Sequence, residues 1–119
     1  MEQAILAQAS DSEFEFRRLA WDDFDKGFLE ALKGLTQVGD TTKSQFEERF
    51  REMFPRLADI YKIMVIEDRA KGKIIGAGSL VVEKKFIRSL GICGHIEDIV
   101  VDKSYRGKNL GKRVIETLK

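Results

Sequence analysis

The chain has one cysteine, one proline and one histidine, and each scarcity excludes something. Cys93 alone cannot close an internal disulfide, and with His95 as the one imidazole no Cys/His zinc site can be assembled, so no metal is expected. A reducing compartment fits, and a cytoplasmic location is expected. No apolar run approaches the length that crosses a bilayer, so no membrane partner is expected either. Nor is there an excess of one charge: 21 Lys and Arg against 20 Asp and Glu leave a net +1. Nucleic-acid binding ordinarily leaves a basic excess over the whole domain, so it is set aside, and any anion recognition must be local. The opening MEQAILAQASDSE has no basic n-region, no sustained apolar stretch and no Arg-rich amphipathic pattern; residues 1–12 are expected to be a flexible tail. At 119 residues there is room for one core and little for a second lobe.

What is present is patterned. FEFRRL (Phe14 to Leu19) alternates like a half-buried strand. Asp22 or Asp23 then offers an N-cap for a helix with Phe24, Phe28, Leu32 and Leu35 at helical spacing, broken at Gly39. A second helix follows: Thr42 and Gln45 have capping-box spacing, Phe46, Phe50, Met53, Phe54 and Leu57 form its inner face, and Pro55 ends or kinks it. YKIMVIE (Tyr61 to Glu67) and KIIGAGSLVVE (Lys73 to Glu83) read as a hairpin turning at Gly72. Gly76 and Gly78 share a face of its second strand and mark either a bulge or space for a neighbouring backbone or ligand. HIEDIVV reads as a third buried strand and LGKRVIETLK as a helix with Leu110, Val114, Ile115 and Leu118 inward. The element order is β-α-α-β-β-β-α, an α/β (α+β) domain over 13–119.

Three stretches carry chemistry. SYRGKNLGKRV (Ser104 to Val114) lies between a strand and a helix, where unpaired N–H groups and the helix dipole favour anions. Three residues separate Gly107 from Gly111, Lys112 is followed by Arg113, and no G-x-G-x-x-G occurs, so it is neither a Walker loop nor a dinucleotide fingerprint. Exposed cations at a helix start oppose the dipole by about 0.3–1 kcal/mol each, so Lys108, Lys112 and Arg113 are expected to answer an anion. In GHIEDIVV, Glu97 and Asp98 interrupt an apolar strand, and alternation sends one carboxylate to each face, as a structural ion pair or as the floor of a cleft. In EKKFIR, Lys84, Lys85 and Arg88 flank Phe86 and Ile87, as a solvated edge or as a phosphate clamp. Cys93 and His95 imitate a nucleophile and base, but no third orienting group is identifiable, and the thiol is read as a bystander.

Taken together, GHIEDIVVDKSYRGKNLGKRVIETLK resembles the central motif of the GNAT acyltransferase superfamily: a strand, an (Arg/Gln)-x-x-Gly-x-(Gly/Ala) loop, then a helix. Through LTQVG, EKKFIRSLGICGHIEDIVV and RGKNLGK it is similar, within that superfamily, to the eukaryotic glucosamine-6-phosphate N-acetyltransferases, over Phe14 to Lys119. Asn109 stands where the superfamily pattern has glycine. The resemblance implies a GNAT-like mixed sheet and acetyl-CoA as co-substrate. The reaction it implies gives N-acetylglucosamine 6-phosphate for UDP-N-acetylglucosamine synthesis, in a protein that is a homodimer when complete. It implies that backbone N–H groups of Arg106, Gly107, Lys108, Asn109, Leu110 and Gly111 cradle the coenzyme pyrophosphate, while Ile99, Val100 and Val101 hydrogen-bond the pantetheine arm. Thr36, Lys85, Phe86, Ile87, Arg88, Glu97, Asp98 and Ile99 match positions that bind the amino sugar phosphate. The amine would attack the thioester directly in a ternary complex, with Glu97 or Asp98 as base through water, Glu97 slightly ahead.

The family continues beyond the helix at which this sequence stops, into segments that complete the acetyl-CoA cleft and carry a tyrosine for the leaving thiolate. The 119-residue chain alone is therefore expected to be a partial domain with weak or no turnover. The competing expectation is a non-catalytic acyl-CoA-binding fragment or short isoform that associates with a full-length partner. Acetylation of a protein amine is a third reading, disfavoured by the cations of KKFIR.

Overall fold

The computed structural model describes residues 13–119, so the expected tail over 1–12 lies outside the described residues. The elements are β1 (Phe14–Arg18), α1 (Phe28–Leu32), α2 (Lys43–Met53), β2 (Tyr61–Asp68), β3 (Lys73–Lys84), β4 (Ile92–Val101) and α3 (Leu110–Leu118). A helical turn, Ile87–Leu90, joins β3 to β4, and a 3-10 turn, Lys103–Tyr105, precedes α3. The sheet runs β1-β2-β3-β4, and each of these pairs is antiparallel where a mixed sheet was expected.

Alternation along β2 sends Met64 and Ile66 to one face and Val65 to the other, giving two cores. On the first face α3 packs Leu110, Val114 and Leu118 against Phe14, Ile66 and Ile75. On the second, α1 and α2 pack Phe28, Ala31 and Phe46 against Val65, Ile74, Ala77 and Val100. Ile74 and Ala77 are three apart yet share a face, because a bulge at Ile75 inserts one residue of β3 opposite the Ile66–Glu67 step of β2. The N–H of Ile74 donates instead to the Lys26 carbonyl at 2.8 Å, which ties the segment before α1 to the sheet.

Three expectations change. The long helix after Asp22 is absent: residues 21–27 are turns, and α1 starts only after Gly27 at φ +85° and ends at Leu32, leaving Leu35 exposed. The physical reason is Asp23, whose carboxylate is fully buried and taken by Arg17 (2.7 and 2.9 Å) and by the Ala20 N–H (2.7 Å), so it caps no helix. HIEDIVV is an edge strand: Val100 is buried, but positions 94–98 are exposed. The capping box holds, with Thr42 Oγ1 accepting from the Gln45 N–H and Gln45 Oε1 from the Thr42 N–H. Helix α2 stops at Met53, and Phe54 is extended, as a residue before proline prefers.

Candidate active site

β4 carries a second bulge. Ala77 faces Val100 and Ser79 faces Glu97, so Gly78 opposes both Asp98 and Ile99. Asp98 takes the left-handed φ of +54°, a conformation that costs a non-glycine residue about 1–2 kcal/mol and concentrates at functional sites. This breaks the alternation on which the assignment of one carboxylate to each face rested. Glu97 stands across from Ser79 on the face of Ala77 and Val100, three residues from Val100 instead of two. The loop after α1 covers that face: a Cβ on Gly34 would lie 3.1 Å from Val100 Cγ2. Thr36 is exposed two residues further along this loop. Glu97 and Asp98 are both exposed.

The strand leads directly into the glycine-bearing loop. Asp102 sends its N–H inward to the Ile75 carbonyl at 2.7 Å, which fixes the pattern: Val100 faces β3, and Ile99 and Val101 present N–H and C=O to the free edge. There the Val101 carbonyl accepts from Arg106 Nε at 3.4 Å. Asp102 Oδ1 accepts from the Ser104 N–H at 2.9 Å, and the 3-10 turn ends with the Arg106 N–H on the Lys103 carbonyl at 3.4 Å. Both ends of Arg106 are thus engaged, and the N–H groups open to a ligand begin at Gly107. Gly107 has φ +90° with no atom within 4 Å of a would-be Cβ, while Asn109 has φ +59° and directly precedes α3. Asparagine is the commonest non-glycine residue to tolerate that region, so its place in the glycine pattern costs the loop little. Gly111 faces Val101 at an ordinary 3.8 Å.

The cations were expected to require an anion, but the structure gives two of them aromatic partners. Lys108 Nζ lies over the rings of Phe14 (5.4 Å) and Tyr105 (5.7 Å), and Arg113 over Phe16 (4.5 Å). The sequence reading also missed how the loop is fastened: Tyr105 Oη donates to Asp68 Oδ2 at 2.6 Å in the interior. That bond lowers the Asp68 pKa against the opposing effect of burial, and raises that of Tyr105.

The remaining residues lie at the other end of the hairpin. Lys85 pairs with Glu83 at 2.5 Å, raising the lysine pKa and lowering the carboxylate's, and its N–H donates to the Gly91 carbonyl at 2.8 Å. Phe86 and Ile87 are exposed, and Arg88, Ser89 and Leu90 all have positive φ. From the pair Lys84–Ile92 to the pair Ser79–Glu97 the strands run five residues, about 16 Å at the usual rise. One chain therefore does not gather Lys85 to Arg88 beside the carboxylates. Cys93 and His95 share a face, but His95 Nε2 turns toward Glu83 at 4.0 Å. Among the described residues no group of three or more His, Cys, Asp or Glu side chains could hold a metal, and no helix is long and apolar enough to cross a membrane. A groove beside α2, lined by Leu29, Phe46, Phe50 and Ile63, lies apart from the bulge and the loop.

An edge strand bulged at its centre and running into an open-amide loop at a helix start is matched by a family model: residues 14–119 fit the acetyltransferase (GNAT) family, and the chain belongs to it. It is 55% identical over 114 residues to glucosamine 6-phosphate N-acetyltransferase 1 of Dictyostelium discoideum, covering 96% of this chain and 71% of that one. The glucosamine 6-phosphate N-acetyltransferase of Arabidopsis thaliana is 48% identical over 105 residues, 88% of this chain and 70% of its own length. The crystal structure of the Arabidopsis enzyme superposes with a TM-score of 0.85 over 88% of this chain and 71% of that one. A Trypanosoma brucei acetyltransferase at 35% identity, with coverage of 88% and 71%, gives 0.76.

Proposed function

We propose that this chain transfers the acetyl group of acetyl-CoA to the amine of glucosamine 6-phosphate, giving N-acetylglucosamine 6-phosphate and free coenzyme A, a step toward UDP-N-acetylglucosamine. The observation that carries the reading is the bulge at Asp98, two residues before a strand edge whose N–H and C=O groups face outward and which leads into the Gly107 loop. The loop suits a coenzyme: its amides from Gly107 to Gly111 sit at a helix start, and the space over Gly107 is open. When bound, the coenzyme supplies the activated acetyl thioester. The chain's own residues do the rest. Ile99 and Val101 offer outward backbone groups to an amide-bearing arm, and an N–H there would stabilise the developing oxyanion, a contact worth about 2.7–4 kcal/mol where such a donor has been removed. Glu97, exposed and opposite Ser79, takes the amine proton through water, and Asp98 and Thr36 orient the sugar.

Lys85, Phe86, Ile87 and Arg88 bind the sugar phosphate in this reading, and the 16 Å of strand between them and Glu97 supports a homodimer in which one protomer's turn serves its partner's carboxylates. A cytoplasmic location rests on the single free thiol, Cys93. The test is acetyl-CoA-dependent thiol release with glucosamine 6-phosphate and, in parallel, with lysine peptides. Any release is expected with the sugar phosphate and not with the peptides, and Glu97→Gln should lower it at neutral pH. Coenzyme binding by calorimetry without any thiol release would replace the proposal with a non-catalytic acyl-CoA-binding module.

A further inference from the structure

Between Lys73 and Glu83, β3 carries one polar side chain, that of Ser79. It is half-buried in the middle of the sheet. On its face stand the buried Ala77 and the half-buried Val81 of the same strand, with Ile63 of β2 directly opposite. A β-branched side chain suits such a position better, and a hydroxyl among apolar neighbours gains nothing unless it meets a polar group. The register supplies one: on the other flank of Ser79 stands Glu97.

The pairing fixes Glu97 by its backbone and leaves its side chain loose. Lys85 sends its N–H across to the Gly91 carbonyl at 2.8 Å, and every second residue back along β3, Ser79 included, turns its backbone the same way. Glu97 is also the last residue of β4 in unbroken register, because Asp98 after it takes the left-handed φ of +54°. Directly opposed side chains have Cβ atoms about 4.5–5.5 Å apart, a gap that a serine hydroxyl and a glutamate carboxylate close with one hydrogen bond. The cationic donors nearby are turned elsewhere. His95, the residue before Glu97 on the same face, directs Nε2 toward Glu83 at 4.0 Å, and Lys85 pairs with that same carboxylate.

Resting on the acetyl-transfer reading above, we propose that Ser79 is a positioning residue for Glu97: its hydroxyl donates to the carboxylate and draws the side chain across the β3–β4 pair instead of out into solvent. An exposed glutamate otherwise spreads over several rotamers, and a base that must meet its proton through one water works from few of them.

Residue-selective NMR on the full chain reads the Glu97 side chain directly, through its three-bond χ1 couplings. In wild type and in Ser79→Thr, which keeps the hydroxyl, these should report one staggered rotamer. In Ser79→Ala they should average over several, while Val81→Thr, a change at the next residue on that face, should leave them as in wild type. Averaged couplings in wild type, or unchanged ones in Ser79→Ala, overturn the proposal. Thiol release with glucosamine 6-phosphate then tests the link to the reaction. Ser79→Ala is expected to lower kcat about fivefold, the scale of one net hydrogen bond, with KM within about twofold, and Ser79→Thr to restore it. In a chain already carrying Glu97→Gln, Ser79→Ala should change nothing further, because its effect passes through the carboxylate. An equal loss in both backgrounds shows a merely structural role and overturns the proposal. No thiol release by wild type overturns the acetyl-transfer reading, and the couplings alone then decide whether Ser79 holds Glu97.

Discussion

Asp23 shows how a single side chain can redirect a sequence pattern. Phe24, Phe28, Leu32 and Leu35 have helical spacing, yet the carboxylate before them is held by Arg17, which also reaches Glu67 at 2.8 Å, and Lys26 reaches Glu67 at 3.3 Å. A long-range ion network across β1, β2 and the following turn is invisible to local periodicity, which is why the helix was misjudged. Removing one partner of such a buried pair typically costs about 3–5 kcal/mol, so Asp23→Ala should lower the unfolding free energy extracted from urea titration by that much. Asp23→Asn should lose less, because its amide oxygen still accepts from the Ala20 N–H; equal losses in the two variants would mean the charge, not that bond, sets the cost. Glu67 makes the network pH-dependent. The Arg17 hydrogen bond holds its pKa below the ordinary carboxylate value against burial, with Lys26 adding to the effect. A lowered folded pKa gives stability that is present above the unfolded value of about 4.3 and is lost as pH falls through the folded one. The stability gap between wild type and Glu67→Gln should therefore be widest near neutrality and close below about pH 4.

At the scale of elements, what is locally encoded was legible: the capping box of α2, the hairpin turn at Gly72, the inward stripe of α3 and the element order all followed from spacing and turn chemistry. Bulges were not, because they depend on how two strands register. Gly76 and Gly78 left open whether they mark a bulge or make space, and both readings apply. Each sits beside a bulge, and what fills the space is protein: a Cβ on Gly76 would meet Ile66 Cδ1 at 2.7 Å and the Val100 carbonyl at 3.0 Å, and one on Gly78 would meet Ile99 Cδ1 at 2.5 Å. A methyl tip can swing aside, but a ladder carbonyl cannot move without disturbing the β3–β4 pairing that shapes the site. Gly76→Ala should thus cost more than Gly78→Ala, within the roughly 1–3 kcal/mol typical of overpacking, as read from paired denaturation curves. The reverse order would mean that the Asp98 bulge is the less adaptable place. The glycine-bearing loop between β4 and α3 was legible as a loop, but its fastening through Asp68, which comes from a distant strand, was not.

Among the described residues the sheet has two edges, β1 and β4, and it is the β4 edge that lies beside an exposed apolar patch. β4 lies outermost, and the turn leading into it exposes Phe86, Ile87, Leu90 and Ile92, from 64 to 91% accessible, in a chain whose other large apolar side chains are mostly packed. An edge with free N–H and C=O groups next to such a patch is a template for pairing. The same turn carries Lys85 and Arg88, which lie too far from Glu97 of their own chain to share one sugar phosphate with it. Both facts are met at once if the patch is where two copies associate. Sedimentation equilibrium should then show concentration-dependent dimers of the wild-type chain. Leu90→Lys with Ile92→Lys should shift it to monomer, while coenzyme A affinity at the Gly107 loop, at the opposite end of β4, stays within about twofold, below 0.5 kcal/mol. Dimers that persist in the doubly substituted chain would place the contact elsewhere, and a loss of coenzyme affinity alongside dissociation would show that the two ends of β4 are coupled rather than independent.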